Sequence, residues 1–132
     1  MTLIDEYLEC VNRYTEIDEE FGNKIFDYLS QGVMFHAGGR ISKDENSKCI
    51  YIASIEFLKM YLESLGISKD KDVILYPFNY EVPIIKTKLG NFYDCFDDCL
   101  AACSDVWLLF EDKKLLVECN HDDEIIVCNN IE

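Results

Sequence analysis

The sequence predicts an α+β domain in which N-terminal and central helices pack on a small, mostly antiparallel sheet with a C-terminal three-strand meander. Two patterns predict this class. Apolar residues recur at helical intervals through much of the first two thirds of the chain, and the last third alternates in the manner of half-buried strands. The length of 132 residues fits one core, so we expect residues 1–132 to form a single domain.

The helices are predicted from their caps and apolar stripes. Residues 3–14 carry a stripe behind Thr2, a residue type that caps helix N-termini. A second helix is expected to have Thr15 as its cap and to stop at Gly32. Residues 47–65 form the longest helical pattern and predict a third, central helix.

The strands predicted before the meander are short. Residues 33–35 predict a strand that a glycine-containing turn and a polar loop follow. Residues 73–78 predict another, which Pro77 confines to a sheet edge or brings to an early end. Residues 81–89 contain Pro83 and predict an irregular or edge segment.

The last third of the chain predicts a short helix and then the meander. Asn91 is placed to cap a helix that runs through Cys103. Strands are expected at residues 105–111, 115–119 and 124–128, with tight turns between them. Alternation assigns the first of these strands two faces, with Val106, Leu108 and Phe110 on one and Asp105, Trp107, Leu109 and Glu111 on the other.

The seven cysteines are Cys10, Cys49, Cys95, Cys99, Cys103, Cys119 and Cys128. Their odd number and irregular spacing predict reduced thiols, buried as small apolar side chains. Cys95, Cys99 and Cys103 would share one helical stripe, which could hold zinc, but the stripe coincides with an apolar face and core packing is the simpler account. His121 follows Cys119 by two residues, yet neither histidine of the chain lies in a catalytic motif. We therefore expect no metal, no cofactor and no catalytic residue, and the chain is not expected to be an enzyme.

The charge is strongly negative and unevenly distributed. The net charge is −14, with balances of −6 for residues 1–32, +1 for residues 33–88 and −9 for residues 89–132. This charge excludes most classes of nucleic-acid-binding protein, because they need clustered Lys and Arg to contact phosphate. An anionic membrane surface would also repel the chain. The N-terminus carries acid where a secretory signal would carry basic residues, so we expect a cytoplasmic protein.

The acidic last third is the expected site of protein binding, because a concentrated negative field steers a basic partner. Trp107 would share a sheet face with Asp105 and Glu111, where an open face would suit docking against an Arg-rich surface. The alternative is that helices cover both faces and Trp107 belongs to the core. The candidate partner-binding residues are Asp94, Asp97, Asp98, Asp105, Trp107, Glu111, Asp112, Asp122, Asp123 and Glu124.

In overall character, these acidic stretches resemble the immunity proteins of bacterial polymorphic-toxin and contact-dependent growth-inhibition systems. The resemblance rests on Asp94, Asp97 and Asp98 and on residues 105–112 and 121–124. It implies a protein that neutralises a cognate toxin, often a basic nuclease, by covering its active site or a substrate-binding surface. Three rivals stay open: a small acidic secretion chaperone that dimerises, a thiol- or metal-dependent small enzyme, and a nucleic-acid mimic that blocks many DNA-binding proteins.

Overall fold

The computed structural model describes residues 1–31, 41 and 49–129 of the chain. The helices among these residues are α1 (Leu3–Val11), α2 (Glu19–Leu29), α3 (Ile55–Ser64), α4 (Leu89–Asp94) and α5 (Phe96–Cys103). The strands are β1 (Thr15–Glu16), β2 (Cys49–Ile52), β3 (Asp72–Pro77), β4 (Ile85–Lys88), β5 (Val106–Phe110), β6 (Leu115–Cys119) and β7 (Ile125–Asn129). The predictions for Gly32, for the strand at 33–35 and for the turn and loop after it lie outside the described residues.

The seven strands form one antiparallel sheet in the order β1-β4-β3-β5-β6-β7-β2. The predicted α+β class is confirmed, and β5, β6 and β7 form the predicted meander as sheet neighbours. The sheet is larger than expected, because short strands from the first half of the chain extend it on both sides. Pro77 is the last residue of β3, so of the two predicted effects of this proline, the strand ends early and does not lie at a sheet edge.

Helices cover both faces of the sheet, which is the alternative that the sequence left open for Trp107. The larger core lies under α1, α3, α4 and α5 and takes in Val106, Leu108 and Phe110. The smaller core lies under α2 and includes Trp107 and Leu109. The alternation predicted for β5 is therefore confirmed. Every residue of β5 and β6 is buried, so a second layer is needed to shield the other face from water.

The first two helices show which of the predicted caps operate. Thr2 and Asp5 form a reciprocal capping box at the start of α1, with the Asp5 N–H donating to the Thr2 hydroxyl at 3.0 Å. The prediction that Thr15 begins the second helix is wrong. Thr15 instead pairs with Lys86 of β4, and the Asp18 carboxylate caps α2 by accepting from the N–H groups of its first turn. Asp18 is the better cap because an ionised acceptor also complements the helix dipole.

Gly22 lies buried in α2, where the helix approaches the segment before β4 closely. A Cβ at this position would lie 2.8 Å from Cδ1 of Ile84. A glycine at this position therefore permits close packing of α2 beside the segment before β4.

The prediction of one helix over residues 47–65 is wrong in its first part. Residues Cys49–Ile52 form the edge strand β2, which pairs along its length with β7. Ser54 then caps α3 by accepting from the Phe57 N–H at 3.3 Å. The run Ile50-Tyr51-Ile52 has high strand propensity, and pairing with a distant strand overrides the helical spacing of its apolar residues.

The helix predicted from Asn91 to Cys103 is also corrected. It begins earlier, at Leu89, and is interrupted at Cys95, which separates α4 from α5. Residues 81–84 are irregular, as one alternative for that stretch predicted, whereas Ile85–Lys88 form β4, which lies between β1 and β3 and not at an edge.

The prediction of seven reduced thiols is wrong for four of them. Cys10 of α1 is joined to Cys95, and Cys49 of β2 is joined to Cys128 of β7, with Cα–Cα separations of 6.0 Å and 4.0 Å. The second pair lies directly opposite across the β2–β7 ladder, a relationship that irregular spacing in the sequence does not reveal. The other three cysteines, Cys99, Cys103 and Cys119, are free and buried, as expected.

Candidate functional site

The meander register places the two acidic turns of the last third at opposite ends of the sheet. Val106 pairs with Cys119 and Phe110 with Leu115, so the β5–β6 turn lies at one end. Cys119 pairs with Ile125, so the β6–β7 turn lies at the other. The ten predicted partner-binding residues therefore do not share one surface.

At the β5–β6 end, carboxylates are matched by lysines. Lys71 pairs with Asp112, and Lys86 Nζ lies 3.2 Å from Glu111 Oε1. The hydrogen bond from Lys71 lowers the pKa of Asp112. Glu111 and Asp112 thus add little net field at their end of the molecule.

The other end carries the acidic turn, which we define as residues 121–124. Asn120 organises it, since its side-chain oxygen accepts from the N–H groups of Asp122 at 3.0 Å and Glu124 at 3.3 Å. Asp123 occupies the left-handed region with φ of 63°. The side chains of Asp122 and Asp123 are exposed, so the turn presents its carboxylates outward.

Asp105 is a buried carboxylate that holds the acidic turn against the sheet. Its Oδ1 accepts from the backbone N–H of His121 at 3.0 Å and lies 2.8 Å from Nδ1 of the same residue. Its backbone carbonyl accepts from the N–H of Phe78 at 2.9 Å. Asp105 is 6% exposed, so its position suits organising this end rather than touching a partner.

The three aspartates of the helical region divide between two elements. Asp97 and Asp98 lie in the first turn of α5. Phe96 and Leu100 of that helix line a cavity of about 200 Å³ together with residues 123–125. The first turn of α5 therefore borders the acidic turn. Asp94 is exposed at the last residue of α4.

Trp107 is only 4% exposed, which supports the alternative in which it belongs to the core. Its indole Nε1 donates to Glu118 Oε1 at 3.0 Å. Burial raises the pKa of Glu118 even though Ile41, Asn120 and Trp107 all donate to its carboxylate. Glu118 was not among the residues predicted from the sequence, although a single acid within the apolar run of β6 indicates a buried carboxylate with hydrogen-bond partners.

Beside Trp107 an open groove of about 630 Å³ lies on the α2 side of the sheet. We name it the aromatic groove after five of its lining residues, which are Phe26, Tyr76, Phe78, Tyr80 and Trp107. The Phe26 ring stacks on Tyr76 with a centroid separation of 4.8 Å, and Phe78 meets the edge of Trp107 at 5.9 Å. Phe78 is 53% exposed and Tyr80 is 89% exposed, so two large aromatic surfaces face solvent at its mouth.

The groove is negatively charged as well as aromatic. Among the described residues that line it, the charged ones are Glu16 of β1 and Glu19 of α2. Burial, followed by the charges of Asp27 and Glu19, raises the pKa of Tyr76. Its hydroxyl donates to Asn23 Oδ1, which ties the groove wall to α2. The groove could not be predicted from the sequence, because its residues come from three separate stretches of the chain.

The buried thiols are poorly suited to nucleophilic chemistry. A hydrogen bond with Cys99 and then burial raise the pKa of Cys103, and burial raises the pKa of Cys119. A thiol must ionise to act as a nucleophile, and these sites disfavour the thiolate. Within the described part of the chain, no group of three or more His, Cys, Asp or Glu side chains is placed to hold a metal ion. None of the helices in that part is long and apolar enough to cross a membrane.

Comparison with known proteins agrees with the resemblance drawn from the acidic stretches. The family model described as CdiI immunity protein EcoliA0-like matches residues 1–128, which is nearly the whole chain. A search of curated proteins finds no match. The chain belongs to the family of EcoliA0-like CdiI immunity proteins, whose members neutralise a toxin.

Proposed function

We propose that this immunity protein neutralises a basic toxin with nuclease activity by presenting carboxylates to the surface that the toxin uses for phosphate. A nuclease must attract a polyanion, so the cleft that binds its substrate is basic. A chain with a net charge of −14 that places an exposed acidic turn at one end of its sheet is complementary to such a cleft. Opposed fields raise the association rate of two proteins, in favourable cases to about 10⁸–10⁹ M⁻¹s⁻¹ at low salt.

The observation that carries the proposal is the contrast between the two ends of the sheet. Lysines pair with Glu111 and Asp112 at one end and neutralise much of their charge. At the other end, the acidic turn adjoins the α5 turn that carries Asp97 and Asp98. Of the ten residues predicted from the sequence, we therefore propose Asp97, Asp98, Asp122, Asp123 and Glu124 as contact residues. Asp105 and Trp107 support this end from within.

The test uses the toxin domain encoded beside this chain in its native genome. The purified domain is assayed on DNA and RNA, alone and with increasing amounts of this protein. We expect the toxin domain to cleave nucleic acid and one equivalent of this protein to abolish that cleavage. We also expect the association rate of the two proteins to fall steeply as salt is added. A toxin that cleaves neither nucleic acid, or an association rate indifferent to salt, would exclude the nuclease proposal.

The same assay separates a dedicated inhibitor from a general nucleic-acid mimic. Unrelated nucleases of similar basic charge are added at the same concentration. A dedicated inhibitor leaves them active, because apolar anchors and shape decide dissociation after electrostatic capture. Inhibition of all of them would identify a mimic instead.

A further inference from the structure

We infer that the aromatic groove is the anchoring site of the immunity complex and that it receives an arginine side chain of the toxin. The inference rests on the proposed function, in which the partner is basic. It adds a second contact region beside the acidic turn and a definite chemistry for what binds there.

Exposed aromatic surface is the first support. Phe78 and Tyr80 lie in the segment after β3 and remain 53% and 89% exposed, although they adjoin the buried Trp107. Large apolar surface left open around a pocket is costly for a protein that works alone and is typical of binding surfaces. Aromatic side chains of this kind supply most of the binding energy in many protein interfaces.

The charge of the groove selects the occupant. Glu16 and Glu19 stand among the aromatic lining residues, and both can accept hydrogen bonds from a cation. A purely apolar segment would leave these two carboxylates desolvated and unpaired, which is unfavourable. A cationic side chain with an apolar stem and a flat charged group can contact the aromatic rings and pair with the carboxylates.

Arginine fits this lining better than lysine. Its planar guanidinium stacks on aromatic rings and donates two parallel hydrogen bonds to one carboxylate. The ammonium of lysine is strongly hydrated and lacks the flat face that Phe78 and Tyr80 could contact. An arginine that binds phosphate in the free toxin would change partners on forming the complex.

The groove and the acidic turn are joined in one structural unit. Phe78 at the groove mouth donates its backbone N–H to the Asp105 carbonyl, and the Asp105 side chain holds His121. Both regions therefore lie at the same end of the sheet. A toxin that covers this end of the sheet can therefore contact both regions.

The experiment compares two groove variants with matched controls for binding to the same toxin domain. Tyr80→Ala removes a side chain that is almost fully exposed, so folding is preserved, and Phe78→Ala removes the ring that meets Trp107. The control is Phe57→Ala on α3, because Phe57 is 56% exposed but lies outside the groove. We expect each groove variant to dissociate about tenfold faster or more, and the control to change less than about twofold.

A second pair of variants tests the charge. Glu16→Gln combined with Glu19→Gln removes two charges from the groove, and Glu6→Gln combined with Glu9→Gln removes two exposed charges from α1. We expect the groove pair to weaken binding about tenfold beyond the control pair. Replacing toxin arginines one at a time by lysine should identify one whose loss weakens binding to the wild type but adds little to Tyr80→Ala.

The outcomes separate this inference from the proposed function. If the wild type binds a basic nuclease with a steep salt dependence but the groove variants behave as their controls do, the groove inference is overturned and the proposed function stands. The same holds if no toxin arginine couples to Tyr80. If the wild type shows no such binding, the proposed function itself fails.

Discussion

Trp107 and Glu118 lie directly opposite each other in the β5–β6 ladder, and the indole N–H donates to the Glu118 carboxylate at 3.0 Å. The same carboxylate accepts from the Ile41 backbone at 2.9 Å and from the Asn120 side chain at 3.1 Å. Since Asn120 also organises the acidic turn, one buried acid connects the groove floor to the turn. This connection makes Glu118 a structural support for both proposed contact regions.

We expect Glu118→Ala to lower the free energy of unfolding by about 2–4 kcal/mol, because it leaves three buried donors without their acceptor. Glu118→Gln keeps one carbonyl oxygen for Trp107 and Ile41, and it should cost less, about 1 kcal/mol. Urea unfolding measures both. Equal losses for the two variants would show that volume, rather than hydrogen bonding, is what Glu118 contributes.

The raised pKa of Glu118 gives stability a defined pH dependence. Burial raises this pKa above its usual 4.5, so the folded state holds the proton more tightly than the unfolded state does. The contribution of Glu118 to stability is full below pH 4.5 and is lost as the pH rises through the folded-state pKa. The wild type should therefore lose stability relative to Glu118→Gln over that interval, as urea unfolding at a series of pH values would show.

The stability of the wild type is compared with that of Glu118→Gln because other carboxylates give stability the opposite pH dependence. The hydrogen bonds from Lys88 and Lys71 lower the pKa values of Asp72 and Asp112, whose contributions are present above pH 3.8 and fade as the pH falls. Both groups are solvent-exposed and shared by the wild type and Glu118→Gln, so they cancel. If the difference in the free energy of unfolding between the wild type and Glu118→Gln stayed constant with pH, that result would contradict the raised pKa of Glu118.

The cysteines provide a chemical test of the structure. Unfolding the protein without reductant and alkylating it should modify three cysteines, Cys99, Cys103 and Cys119, and all seven should react after reduction. Mass spectrometry counts the modified residues. Cys49→Ser should lower the free energy of unfolding by about 2–4 kcal/mol, because the disulfide to Cys128 closes a long loop.

Adding reductant is the control for the loss of stability expected in Cys49→Ser. It should destabilise the wild type but have little further effect on a variant with both Cys10→Ser and Cys49→Ser. Seven alkylated cysteines before any reduction would contradict both disulfides and restore the interpretation made from the sequence.

What the sequence predicted well was local. The strands of the meander carry their own alternation and are separated by short polar turns, so every predicted boundary of β5, β6 and β7 agrees with the structure to within one residue. The Thr2 cap of α1 is equally local, since its partner is Asp5. Signals of this kind depend on neighbours along the chain and can be read without the fold.

What the sequence did not predict depends on distant pairing. The strand β2 has a helical apolar pattern and becomes a strand because β7 is available at the sheet edge. The Cys49–Cys128 disulfide follows from the same pairing. The candidate partner-binding residues divide between two ends of the sheet for the same reason, since register alone sends Glu111 and Asp123 to opposite ends.

The aromatic groove shows the same limit at a functional site. Its residues come from β1, α2, β3, β5 and the segment after β3, and no window of sequence contains them together. The stretch Phe78-Asn79-Tyr80 between Pro77 and Pro83 was the available signal of a binding surface, because large aromatics in a surface turn expose apolar area. Their partners, Glu16 and Glu19, could be identified only once the sheet order was known.

The two ends of the sheet allow a matched test of electrostatic capture. Asp122→Asn combined with Asp123→Asn removes two charges from the acidic turn, and Glu111→Gln combined with Asp112→Asn removes two from the opposite end. We expect the first pair to slow association with the toxin about threefold to tenfold at low salt and to flatten its salt dependence. The second pair should have a smaller effect, because those charges lie at the opposite end of the sheet from the acidic turn and salt screens them from a toxin bound there.

The turn pair is preferable to neutralising Asp97 and Asp98, whose charges also favour the first turn of α5. Asn is tolerated in the left-handed conformation of Asp123, so the turn should keep its shape. Stopped-flow measurement of association across a salt series then reports charge rather than misfolding. Equal slowing by the two pairs would mean that the toxin responds to net charge alone, and the acidic turn would lose its role as the capture site.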